Sequence, residues 1–210
     1  MVLLLATLCL PFTAIATATL PKVAESVRPL EYNWTTDTGE SFRANTCTVT
    51  SINKAAHLWL TAAHCVLNNS GQFKGIFTIS GHEVWPRKID AKADLAVLYT
   101  PDYSLPALKV ATVAPFYTDD IVIWGHPLGL SEIVFVRGYV AAPVITLSNG
   151  RKFLLFSAPI APGNSGSAVL NSRNEIVSVA QVVFNVFPAF EPMGGGVLFN
   201  TMKGFLAGVM

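Results

Sequence analysis

Apolar residues along this chain come in short bursts separated by residues that favour turns. The bursts predict strands at Thr48–Ile52, Leu58–Thr61, Ile76–Ser80, Leu95–Tyr99, Ile121–Trp124, Ile133–Val140, Phe153–Phe156, Ala168–Leu170, Ile176–Phe184 and Val197–Phe199. They are rich in Val, Ile, Phe and Thr, whose side chains suit a pleated, half-buried surface, and Gly, Pro, Asn and Asp punctuate them. No stretch keeps a helical period over three turns. Ala62–Leu67 predicts one helical turn and Thr201–Ala207 a short terminal helix. Strands at this spacing imply an all-β barrel or sandwich. Residues 101–116, with Pro101, Pro106 and Pro115, read as a connector between two β halves of similar length. The expected division is a lobe over 25–110 and a second over 111–210, which together make one domain.

The amino terminus reads differently. Met1 to Leu20 carries no charged side chain, and Val2–Leu10 forms an apolar run followed by Pro11 and small residues. Ala14-Ile15-Ala16 and Ala16-Thr17-Ala18 fit the small-x-small pattern of a cleavage site, so 1–18 is expected to be a signal peptide. An uncleaved amino-terminal membrane anchor is the alternative. Export to the outside or to a periplasm follows, with no stable membrane span after the segment is removed. Of three cysteines, Cys9 falls in this segment, leaving Cys47 and Cys65. A leftover pair in an exported chain usually bridges, the alternative being two buried thiols.

Composition narrows the partners. The 210 residues are 51% hydrophobic and 13% charged, with a formal net charge of +1. That balance gives no reason to expect nucleic acid. No His, Cys, Asp or Glu cluster has metal-ligand spacing, and no cofactor is implied.

Three local patterns carry chemistry. Serine acyl transfer needs a nucleophile, a base, a carboxylate that orients the base, and donors for the oxyanion. His64 lies in Leu60-Thr61-Ala62-Ala63-His64-Cys65, a strand end running into a tight turn. Asp94 stands directly before the apolar run Leu95–Leu98, where a carboxylate is shielded from water. Ser165 sits in Pro162-Gly163-Asn164-Ser165-Gly166-Ser167, whose glycines allow the Gly163 and Ser165 amides to converge on one point. The order His, Asp, Ser, without helices alternating with strands, is not that of an α/β-hydrolase.

These residues also carry a family resemblance. Leu60–Cys65 resembles the histidine motif of the trypsin/chymotrypsin-like serine protease superfamily. Ala158–Gly166 looks like the nucleophile segment of bacterial HtrA-type proteases, and Trp124–Leu130 resembles their loop after the first strand of the second barrel. Gly166–Asn171 is closer to the glutamyl endopeptidases. The similarity runs from about Cys47 to Lys203, and no PDZ domain is part of it. It implies two perpendicular six-stranded Greek-key barrels, a Cys47–Cys65 bridge at the histidine loop, and peptide or protein substrates. Asn164 stands where animal-type enzymes have the Asp that pairs with a new amino terminus, so no activation of that kind is expected.

By position in the same family, the pocket for the residue preceding the scissile bond (P1) has Pro159 and Ile160 at its base. Its walls are expected from Val177, Ser178, Val179, Ala180 and Gln181, and from Gly194, Gly195 and Gly196. A cationic P1 side chain would be buried there without a partner, at large cost. Glutamyl-specific relatives have His where this chain has Ala180, which also disfavours an acidic P1. A small or medium apolar P1 residue is the expectation. His57 and His82 read as structural or exposed, and His126 as a loop residue whose ring is satisfied. The competing function is a catalytically silent protease fold kept as a binding module. Oligomeric state is not legible in any motif.

Overall fold

All but the last of the apolar bursts become strands, because one face of each closes a barrel and the other packs against the partner barrel or water. The computed structural model describes residues 22–184 and 192–209. The predicted signal segment therefore lies outside the described residues. The first barrel comprises β1 (Val27–Thr35), β2 (Ser41–Asn53), β3 (Leu58–Thr61), β4 (Ile76–Ile79), β5 (His82–Asp90) and β6 (Leu95–Tyr99). It closes in the order β1-β2-β3-β6-β5-β4. The second comprises β7 (Asp120–Gly125), β8 (Val134–Thr146), β9 (Lys152–Phe156), β10 (Ala168–Leu170), β11 (Ile176–Phe184) and β12 (Met193–Gly196), closing as β10-β11-β12-β9-β8-β7. Neighbouring strands within each barrel pair antiparallel. Helix α1 (Phe199–Leu206) follows. This is the chymotrypsin-like architecture, all-β with one short terminal helix. Among the described residues no helix is long and apolar enough to cross a membrane.

The barrels share apolar packing. Ile52, Leu58, Leu60, Leu95 and Val97 of the first join one continuous buried cluster with Ile121, Ile123, Phe156, Val169 and Val179 of the second. This explains why β3 is buried at all four positions, whereas β7 alternates. The chain between β6 and β7 straps the two together. Leu108 donates its N–H to Ser51 O at 2.9 Å, and Ala111 donates to Ile176 O at 3.0 Å. Cys47 and Cys65 are bridged, with Cα atoms 6.0 Å apart. Closing that 18-residue separation is worth about 3 kcal/mol on the chain-entropy account.

Three strands differ from the sequence expectation. β1 carries Arg28, Pro29 and Glu31, and β5 carries Pro86, Arg87 and Lys88, so neither reads as an apolar burst. Both ladders tolerate this through register shifts, at Leu30/Glu31 and at Pro86/Lys88. The strand expected at Val197–Phe199 is corrected to Met193–Gly196, and Phe199 instead opens α1. Gly194, Gly195 and Gly196 have no side chains to show a pattern. They form a strand because aromatic rings occupy the space: a Cβ on Gly194 would stand 1.9 Å from the Phe156 ring, and one on Gly195 would stand 2.4 Å from that of Phe184.

Candidate active site

His64 occupies the 3-10 turn Ala63–Cys65 that ends the fully buried β3, and the Cys47–Cys65 bridge ties this turn to β2. A turn so anchored projects the imidazole from a rigid edge. Asp94 meets it twice. Its Oδ1 accepts the His64 backbone N–H at 2.8 Å, and its Oδ2 lies 2.8 Å from Nδ1. A carboxylate can only accept, so Nδ1 is the protonated ring nitrogen and Nε2 is left as an acceptor. Asp94 has φ +54, a left-handed conformation that Asp tolerates better than most residues. Gln181 on β11 donates its Nε2 to Asp94 O at 2.8 Å and to Ala93 O at 3.0 Å, fastening this loop to the second barrel.

Ser165 is half-buried in the turn before β10 and is held from both barrels. Its carbonyl accepts the Thr48 N–H at 2.9 Å and lies 3.8 Å from Cys65 Sγ. The next amide, Gly166 N–H, donates to Ala180 O at 2.8 Å. Gly166 has φ +85, and a Cβ there would stand 2.1 Å from Thr61 Oγ1 and 2.3 Å from Thr48 O. Glycine is thus required by the closeness of the first barrel. These contacts bring the Ser165 turn beside the His64 turn.

The amides of this turn divide into two kinds. Asn164, Gly166 and Ser167 N–H groups donate to Ala161 O, Ala180 O and Asn164 O. Among the described residues, the Gly163 and Ser165 N–H groups have no protein acceptor. The orientation of the Gly163 amide has a visible cause. The carbonyl of Pro162, at the other end of the same peptide unit, accepts the Leu128 N–H at 2.6 Å. In a trans peptide the C=O and N–H point opposite ways, so Gly163 N–H is directed away from the 126–130 loop. The Thr48 hydroxyl completes this brace, donating to Gly163 O at 2.9 Å and accepting from His126 N–H at 3.0 Å.

His126 differs from its expected state. It is buried, and Nδ1 lies 3.3 Å from Leu130 O, but Nε2 is buried with no partner among the described residues. Burial pushes its pKa below 6.5, Arg28 adds to that, and the carbonyls of Leu130, Glu132 and Ser131 partly oppose it. The unfolded chain therefore takes up a proton near pH 6.5 that the folded chain refuses. Stability is whole above that pH and falls as pH drops, at no more than about 1.4 kcal/mol per pH unit, until folded His126 also protonates. Urea unfolding of wild type and His126→Gln at pH 7.5 and pH 5.0 tests this. The variant is expected to lose part of the acid sensitivity, and equal losses in both proteins would contradict it.

Ser167 is fully buried, and its hydroxyl has no partner among the described residues. It fits because Gly125 has no side chain: a Cβ there would lie 2.4 Å from Ser167 Oγ and 2.5 Å from Asn164 Oδ1. Of the expected pocket residues, Pro159 is exposed and Ile160 half-buried, while Gly194 and Gly195 lie beneath aromatic rings. Val177, Ser178, Val179 and Ala180 are buried on both faces of β11, at most 1% exposed. Gln181 and Val182, further along the same strand, are the residues that border the cavity at His64. His64, Cys47 and Cys65 cluster closely, but the two sulfurs are committed to each other and are not thiolate ligands. His82 pairs with Asp102 at 3.3 Å and stacks on Tyr103, and it borders neither the cavity at His64 nor the one beside it.

Sequence reasoning places Gln181 in the pocket wall but misses its hold on the Asp94 loop, and it misses the bracing roles of Thr48 and Leu128. Thr48 and Gln181 act through side-chain bonds across the barrel interface, and Leu128 through its backbone, so none has a local pattern. The sequence pattern that defines the trypsin-like peptidase domain matches residues 45–179. Comparison with curated proteins finds no match.

Proposed function

The chain belongs to the trypsin-like peptidase family, and we propose that it is a secreted serine endopeptidase using His64, Asp94 and Ser165. The observation that carries this reading is the pair of hydrogen bonds that the Asp94 carboxylate accepts from the backbone N–H and the ring Nδ1–H of His64. It holds the imidazole in the tautomer that can accept a proton at Nε2. In the proposed reaction Nε2 takes the Ser165 hydroxyl proton as Oγ attacks a peptide carbonyl carbon. Asp94 stabilises the imidazolium that forms.

The Gly163 and Ser165 amides receive the oxyanion of the tetrahedral intermediate, each contributing about 3–4 kcal/mol in the transition state. Their lack of acceptors within the protein supports this role. The imidazolium then gives its proton to the leaving amine as the C–N bond breaks. Water, deprotonated by His64, attacks the acyl-enzyme, and Ser165 recovers its proton when the acid product departs.

Secretion is supported by the Cys47–Cys65 bond, which persists in oxidising compartments, and by the apolar 1–18 segment. A small or medium apolar P1 residue is supported by the uncharged Pro159 and Ile160. Labelling with a fluorophosphonate probe tests the core of the reading. The wild type is expected to label and Ser165→Ala to remain blank. A folded, oxidised wild type that does not label would make the protein a silent binding module.

A further inference from the structure

The walls around His64 are not electrically even. A cavity of about 430 Å³ lies against His64 and Asp94 and is bordered by Lys92, Arg151, Gln181 and Val182. A second, of about 510 Å³, shares Lys92, Arg151 and Gln181 with it and adds Lys152. Together they form a groove leading away from the imidazole.

Among the described residues, Lys92, Arg151 and Lys152 make no ion pair. Two carboxylates share the groove and keep their charge, so three cations face two anions there, and both anions are held by N–H groups of the chain. Asp94 serves His64, and Asp90 Oδ1 accepts the backbone N–H groups of Lys92 and Ala93 at 3.0 and 2.9 Å. The Arg151 guanidinium lies 4.9 Å from the Phe153 ring centre, which restrains it while leaving its N–H donors free. In a chain with 14 basic and 13 acidic residues, three unpaired cations in one groove are a local excess.

The groove also has a place for a peptide. β11 pairs with β10 only as far as Val179, and with β12 as far as Phe184. One edge of Gln181–Phe184 thus has no strand partner among the described residues, and an extended peptide can add to it. The Gly166 N–H bond to Ala180 O sets the Ser165 turn at the start of this edge. The acyl half of a peptide whose carbonyl lies at Ser165 therefore runs along it, past Lys92 and Arg151.

We infer that this groove selects peptides bearing acidic side chains two to four residues before the scissile bond, an inference that rests on the peptidase reading above. Exposed charge pairs in a groove contribute modestly each and are screened by salt. Glutamate in place of lysine at those three positions is expected to raise kcat/KM about tenfold at low salt.

The test uses fluorogenic peptides with Glu, Ala or Lys at the three positions before a P1 valine. Wild type is compared with Lys92→Glu/Arg151→Glu, and binding of the same peptides to Ser165→Ala is followed by fluorescence anisotropy. The inference expects Glu peptides to be preferred in both assays, the preference to shrink at 0.5 M salt (about a 4 Å Debye length), and the double variant to prefer Lys. Equal treatment of the three peptides, or a preference that survives both salt and charge reversal, overturns it. Selective binding to Ser165→Ala without any hydrolysis by wild type would sustain the acidic site and overturn the peptidase reading instead.

Discussion

Asp94→Asn is expected to lower kcat by about 10⁴-fold without disturbing the fold. Asn tolerates the left-handed conformation at φ +54 as well as Asp does, so the backbone has no reason to move. The amide oxygen can still accept the His64 backbone N–H, now 2.8 Å from Oδ1. That leaves the amide NH₂ facing Nδ1, where Oδ2 now sits at 2.8 Å. A donor in that place pairs with the tautomer protonated on Nε2, which cannot take a proton from Ser165. Circular dichroism and urea unfolding check the fold, and steady-state kinetics read the loss. Full activity in a folded Asp94→Asn protein would remove Asp94 from the mechanism. The Gln181 bonds to the Ala93 and Asp94 carbonyls do not involve the substituted side chain, so they persist in the variant.

The second large effect is expected at Gly163. Its φ of +97 is strained for any L side chain, and a Cβ would stand 2.4 Å from His126 O, 3.0 Å from Leu128 N and 3.1 Å from Pro127 Cα. These are mostly backbone atoms that cannot swing aside. Gly163→Ala must therefore displace the 126–128 segment or rotate the Pro162–Gly163 peptide. Either change breaks the Leu128 N–H bond to Pro162 O that aims the Gly163 amide. Loss of one oxyanion donor costs about 10²–10³ in kcat, and the strain adds about 1–3 kcal/mol of destabilisation. Single-turnover kinetics separate acylation from release. A Gly163→Ala protein that acylates at the wild-type rate would show that this amide is not an oxyanion donor.

Both effects run through contacts between segments far apart in the chain, Asp94 with His64 and Gly163 with the 126–128 segment. The fold is legible because Val, Ile and Phe bursts recur at strand length, and the Cys47–Cys65 pair is legible because only two cysteines lie beyond the apolar run at the amino terminus. β1 and β5 were not legible, since Pro29, Glu31, Pro86 and Lys88 interrupt the alternation and only register shifts let the ladders continue. β12 was illegible for a different reason, because a run of three glycines has no polarity to read. In the sequence His126 reads as satisfied, and its orphaned Nε2 shows only in the folded loop.

The sequence by itself determines which groups are available: an imidazole at a strand end, a carboxylate before a buried strand, and a serine between glycines, spaced within one all-β chain. Local patterns suffice for that because strand formation and turn chemistry are decided by near neighbours. Only the tertiary structure decides how those groups are held. Thr48 and Leu128 orient the Gly163 peptide, and Gln181 ties the Asp94 loop to the second barrel, across sequence separations of 115 and 87 residues for Thr48–Gly163 and Asp94–Gln181. The gathering of Lys92 and Arg151 beside His64 has the same origin. Contacts of this range are set by how two closed barrels pack their apolar faces, and that packing has no signature in any short stretch of chain.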